Sequence, residues 1–103
     1  MIGVEIMTKI NIIFDDDFDD VDIIMVPDEI VSKIEAIGQD FLDWIPSAKD
    51  SDYWTIVNGR KCLVAETDGF IKWLNSFYCQ KLEKAYVIAR NTNYCPKHKI
   101  INF

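Results

Sequence analysis

YWTIVNGRKCLVA, residues 53–65, is the stretch whose reading decides the fold. Two β-prone runs flank Asn58-Gly59, the dipeptide that most readily adopts the positive φ angles of a type I′ turn. A two-residue turn can join only antiparallel neighbours, because parallel strands need a crossover of about a dozen residues or more. An antiparallel hairpin is therefore expected here.

Outward from this hairpin the pattern is helical on both sides. Thr67 is expected to cap a helix with Asp68 in its first turn, and Phe70, Trp73, Leu74, Phe77 and Tyr78 form its apolar face. Upstream, Pro27 suits the first turn of another helix, and Asp28 and Glu29 complement the positive end of its dipole. Ile30, Ile34, Ile37, Phe41 and Trp44/Ile45 recur every three or four residues, and Pro46 ends the helix. Gly38 is the weak point, since a glycine inside a helix costs about 1 kcal/mol relative to alanine.

Strands are expected at both ends of the chain. From Val4 to Phe14 the even-numbered positions are mostly apolar, leaving Glu5, Lys9 and Asn11 on the opposite face. Asp22 to Val26 gives a short second strand, Ala85 to Ala89 another, and KIINF at 99–103 an edge strand. The order β(β)αββαβ(β) predicts one α+β domain over residues 1–103. Its expected form is a single, mainly antiparallel sheet of about four or five strands packed by two helices.

Length and composition bound the function. The chain has 103 residues, enough for one modest core, and half of them are apolar, which excludes wholesale disorder. No apolar run approaches the roughly 18–20 residues that span a bilayer. The N-terminus lacks the basic, apolar and small-residue blocks of a secretory signal, and either Met1 or Met7 serves as a start. Cys62, Cys79 and Cys95 are an odd number at wide spacings, which favours reduced thiols in a cytoplasm over a disulfide framework.

The net charge of −6 is unevenly spread. Residues 1–52 hold fourteen acidic and three basic side chains, whereas residues 53–103 hold three acidic and eight basic. Nucleic acid and anionic membrane are repelled by the first half. The second half has only one adjacent basic pair, Arg60-Lys61, too little for a nucleic-acid stripe.

The acidic excess peaks in FDDDFDDVDIIMV, residues 14–26, where six of the eight residues from Asp15 to Asp22 are aspartate. Asp15-x-Asp17-x-Asp19 imitates the start of a calcium loop, but the sixth position is Asp20 instead of glycine and the twelfth is Val26 instead of glutamate. A hydrolase built on paired carboxylates would need a partner acid held in a pocket. A solvated acidic loop is the plain alternative. Six carboxylates at this density repel one another, a cost that ordinary solubility does not require and that a basic partner would reverse. Asp40, Asp43, Asp50 and Asp52 extend the acidity, and Tyr53 and Trp54 beside them have the character of interface anchors.

Catalytic signatures are otherwise missing from the sequence. The single histidine, His98, forms a CxxH pair with Cys95, two ligands where a closed zinc site needs four. No phosphate-binding glycine loop, GxSxG elbow or HExxH helix occurs. The expectation is a non-enzymatic protein with no cofactor and no metal.

The chain resembles the small acidic bacterial immunity proteins of contact-dependent growth inhibition (CDI) and related polymorphic toxin systems. The likeness lies in its size and in VPDEIVSKIEAIGQDFLDWI (26–45), YWTIVNGRK (53–61), FIKWLNSF (70–77) and EKAYVIA (83–89). It implies a cytoplasmic antitoxin that binds one cognate toxin domain as a 1:1 heterodimer. That toxin is expected to be a nuclease, an RNase ahead of a DNase, whose basic cleft the immunity protein covers. Such families share no catalytic motif, so no catalytic residue carries over. The contact residues expected from the residue-level reading are Asp15, Asp16, Asp17, Asp19, Asp20, Asp22, Tyr53 and Trp54. Two alternatives stand beside this: an adaptor that binds a basic segment of an ordinary protein, and a small metal-binding domain using Cys95 and His98.

Overall fold

The computed structural model describes residues 6–14, 16–49, 53–63 and 66–103. The elements follow in the order β1 (Met7–Ile13), β2 (Val21–Pro27), α1 (Asp28–Val31), α2 (Ile34–Trp44), a 3₁₀ turn (Ile45–Ser47), β3 (Trp54–Val57), β4 (Arg60–Leu63), α3 (Thr67–Phe77), β5 (Tyr86–Thr92) and β6 (Lys99–Asn102). The fold is α+β. None of the helices is long and apolar enough to cross a membrane, among the described residues.

The expectation of one sheet is corrected. Four strands form a sheet in the order β5-β2-β1-β6, and β3 and β4 form a separate two-stranded ribbon. The larger sheet is mixed: β1–β2 and β2–β5 are antiparallel, but β6 runs parallel to β1, with Ile10 opposite Lys99 and Ile13 opposite Asn102. The reason is a crossover. The chain leaves β5 at one edge and must reach the other edge, so residues 93–98 pass over the face of the sheet that the helices leave open.

This crossover also corrects the face expected of β1. Asn11 and Ile13 are both fully buried, and Asn11 lies under the crossing segment. The Asn11 amide donates to the carbonyl oxygens of Cys95 (2.9 Å), His98 (3.2 Å) and Lys99 (3.4 Å), and its oxygen accepts from the Cys95 N–H at 3.2 Å. A buried amide is tolerated only when its polar atoms are matched in this way.

On the other face the expected apolar stripes meet. Ile10, Ile12, Ile24 and Val26 of the sheet pack with Ile34, Ile37 and Phe41 of α2 and with Phe70, Trp73 and Leu74 of α3. Phe41 is the hub, its ring centroid 5.4 Å from those of Phe70 and Trp73 and 5.6 Å from that of Phe103. The first helix is interrupted where continuity was expected. Pro27 closes β2, and the Lys33 N–H bonds the Ile30 carbonyl at 3.1 Å, a three-residue reach that separates α1 from α2. Ile30 and Ile34 remain buried across the break.

Gly38 has a packing reason. A Cβ at this position would lie 2.9 Å from Cγ2 of Ile101, so only glycine lets α2 approach β6 this closely. Gly38→Ala is therefore expected to lower stability despite alanine's better helix propensity, seen as a lower urea midpoint at unchanged m-value. Asn11→Ala removes the acceptor of the Cys95 N–H and the donor to the His98 and Lys99 carbonyls, and should cost about 2–4 kcal/mol in the same measurement.

Candidate partner-binding site

The aspartate loop is the connection between β1 and β2, and the sheet fixes both of its ends. The Asp17 N–H bonds the Phe14 carbonyl at 3.0 Å, and the Asp19 N–H bonds the Asp17 carboxylate at 3.1 Å, closing an Asx turn. Asp16 takes a left-handed conformation, φ 58°, which aspartate tolerates better than most residues. Its N–H donates to Asn102 Oδ1 at 3.3 Å, and Asn102 Nδ2 donates back to the Asp16 carboxylate. The last residues of β6 thus hold the loop from the side. Phe18 stacks edge-on against Tyr94 of the crossover, centroids 5.2 Å apart.

The structure separates the expected contact residues into groups. Asp16, Asp17, Asp19 and Asp20 are exposed on this loop. Among the described residues, no basic side chain of the chain pairs with any of them. Asp15, Asp50 and Asp52 lie outside the described residues. Asp22 belongs to the framework: its carboxylate accepts from the Thr67 hydroxyl at 2.6 Å and from the Asn91 N–H at 3.2 Å. It therefore ties β2 to the start of α3 and to β5. Thr67 was expected as a helix cap, but the cap position is Glu66 and the Thr67 hydroxyl turns to Asp22 instead.

Tyr53 enters the core. It is 3% exposed and packs edge-on against Trp44, centroids 5.1 Å apart. Trp54 is half-buried; its indole N–H donates to the Ala48 carbonyl at 2.7 Å, with Lys61 Nζ 5.0 Å above the ring. Asp40 and Asp43 lie exposed on α2, where they accept from the Tyr78 hydroxyl (2.8 Å) and the Gln39 amide (3.0 Å). Partial burial, then the hydrogen bond and charge of Asp40, hold the Tyr78 phenol above its ordinary value.

Tertiary structure adds residues the sequence did not single out. Beside the loop, a cleft of about 270 Å³ is lined by Asp20, Asp22, Glu66 and Asp68 around one guanidinium, that of Arg90. Arg90 grips Asp68 in a forked pair, Nη2 to Oδ1 at 2.6 Å and Nη1 to Oδ2 at 3.2 Å. The hydrogen bond and charge of Asp68 raise the Arg90 pKa above its ordinary value. Four carboxylates against one cation leave the cleft negative and continuous with the loop. Glu66 and Asp68 are far from the loop in sequence, so no local pattern joined them to it.

Cys95 and His98 lie in the crossover, where the His98 N–H closes a turn onto the Cys95 carbonyl at 3.2 Å. Among the described residues, no three His, Cys, Asp or Glu side chains converge to hold a metal ion. No family model, curated protein or solved structure matches the chain.

Two kinds of aspartate should separate in a stability measurement. Asp22→Ala breaks a charge-assisted bond to a buried hydroxyl and should cost about 1–3 kcal/mol in urea unfolding. Asp17→Asn and Asp20→Asn should stay within about 0.5 kcal/mol of the native protein.

Proposed function

We propose that this chain is an immunity protein that neutralises a cognate polymorphic toxin domain by covering the toxin's basic cleft with its acidic end. The observation that carries this reading is the fixed, unneutralised loop. Asp16, Asp17, Asp19 and Asp20 project from a turn held by two strands and by Asn102, beside a cleft that is itself acidic. The chain spends stability on keeping these charges together, since like charges at this spacing repel.

A surface of this kind works without chemistry. A nuclease lines its cleft with Lys and Arg to hold phosphates, and a row of carboxylates presents the same charge as the phosphate backbone. Occupying that cleft excludes the substrate. Because the loop is already ordered, docking costs little conformational entropy. The exposed aspartates speed encounter, while those that become desolvated in the complex slow its dissociation. A nuclease toxin fits this chemistry best, an RNase ahead of a DNase, in a 1:1 complex formed in the cytoplasm.

The test is rescue combined with binding kinetics. Cells challenged with the toxin domain encoded beside this chain should survive when it is expressed. With Asp16, Asp17, Asp19 and Asp20 all changed to Asn, association at low salt should slow by about 10–100-fold and lose most of its salt dependence. Absence of protection by the native chain would sink the immunity reading. Native association kinetics in the fourfold variant would retire the loop as the contact surface.

A further inference from the structure

The β3–β4 ribbon is unaccounted for by the acidic site. It stands apart from the main sheet, with Ile56 73% and Val57 51% exposed. A lone two-stranded ribbon is at best marginally stable in water and usually needs a further strand or a packed face. Its tip carries Arg60 and Lys61, opposite in charge to the aspartate loop.

The sheet edges differ in how they are guarded. β5 is disturbed by two register shifts, β6 begins with Lys99, and β4 begins with Arg60-Lys61. Bulges and charged side chains, lysine above all, are devices that keep an edge from pairing. β3 reads Trp54-Thr55-Ile56-Val57, with no charge and no proline, and its pairing with β4 runs without a shift. Among the described edges it is the one left open.

We propose that β3 is a homodimerisation edge, pairing antiparallel with β3 of a second copy of this chain about a two-fold axis at Thr55. The register follows from the turn. Asn58 and Gly59 both have positive φ, so Val57 and Arg60 form the hydrogen-bonded pair next to a two-residue turn. Alternation then directs the backbone groups of Thr55 inward to Cys62 and those of Trp54 and Ile56 outward. Two copies satisfy these outward groups when Trp54 of each lies opposite Ile56 of the other.

Side chains agree with that register. Trp54, Ile56, Lys61 and Leu63 share one face of the ribbon. Pairing places two Trp54–Ile56 contacts at the centre of a four-stranded face, an aromatic–β-branched combination favoured across strands. The lysines are displaced to its outer positions. Pairing through β4 in the equivalent register would instead set the charged Lys61 of each copy against Leu63 of the other. Pairing through β3 directs each cationic tip toward the base of the other ribbon, on a molecule whose net charge is −6. A contact of four residues per copy is small, so the dimer belongs to the weak class, with a dissociation constant on the order of micromolar to millimolar. This inference does not depend on the immunity reading.

Sedimentation of the purified full chain from about 10 μM to 1 mM decides it. The mass should rise with concentration from 12.0 kDa toward twice that value. At the two-fold axis residue 55 faces itself, so Thr55→Lys and Thr55→Glu should each remain monomeric across this range. An equimolar mixture of the two should recover the dimer, at least tenfold tighter than either variant alone. That recovery distinguishes a lost contact from a damaged fold. A native chain that stays monomeric throughout would overturn the proposal. So would variants that dimerise like the native chain, or a mixture that stays monomeric.

Discussion

The interaction on which the rest of the structure depends is the grip of Asn11 on the segment that crosses the sheet. One buried amide makes bonds to Cys95, His98 and Lys99, and so fixes where the chain passes from one sheet edge to the other. This places β6 beside β1 and in parallel with it. It also brings Asn102 to the aspartate loop and Phe103 into the aromatic core, where it contacts Phe14, Phe41 and Phe70. The acidic loop is thus tied, through β6, to a polar contact on the far side of β1. In a low-dielectric interior such a contact is stabilising when complete and costly when broken.

The same arrangement divides the aspartates by role. Repulsion among neighbouring carboxylates would favour an open chain, yet the loop is closed by its own Asx turn and by Asn102. Asp22, at the wall of the acidic cleft, binds Thr67 and Asn91 and so ties α3 and β5 to the loop end of the sheet. With α3 come Glu66 and Asp68, which extend the negative surface into a cleft. Charge that costs stability at the tip is thereby offset by charge that adds hydrogen bonds at the base.

Two surfaces of opposite character emerge from this packing. The acidic end is polar, its loop held by the Asx turn and by Asn102. The β3–β4 ribbon is apolar with a cationic tip and an open backbone edge. The two surfaces lie on different elements and differ in charge and in hydrogen-bonding capacity.

Local features were readable from the sequence because each depends on residues a few positions apart. Asn58-Gly59 specified its turn, the isoleucine and phenylalanine spacing specified α2 and α3, and alternation located the strands. Pro27 and the interrupted first helix marked the limit of that reading, since competing caps at neighbouring positions differ little in energy. The aspartate loop was legible as a surface feature, but the acidic cleft beside it was not. What only the tertiary structure decided joins distant residues: Asn11 to Cys95, Asp16 to Asn102, Asp22 to Thr67, separations of 84, 86 and 45 positions. Such contacts are chosen by competition among all the strands and faces that could bury one another. Hence the sequence by itself determined the α+β class and the approximate positions of its strands and helices, while packing determined the break in the first helix, the parallel edge strand, the buried Asn11 and the separate ribbon.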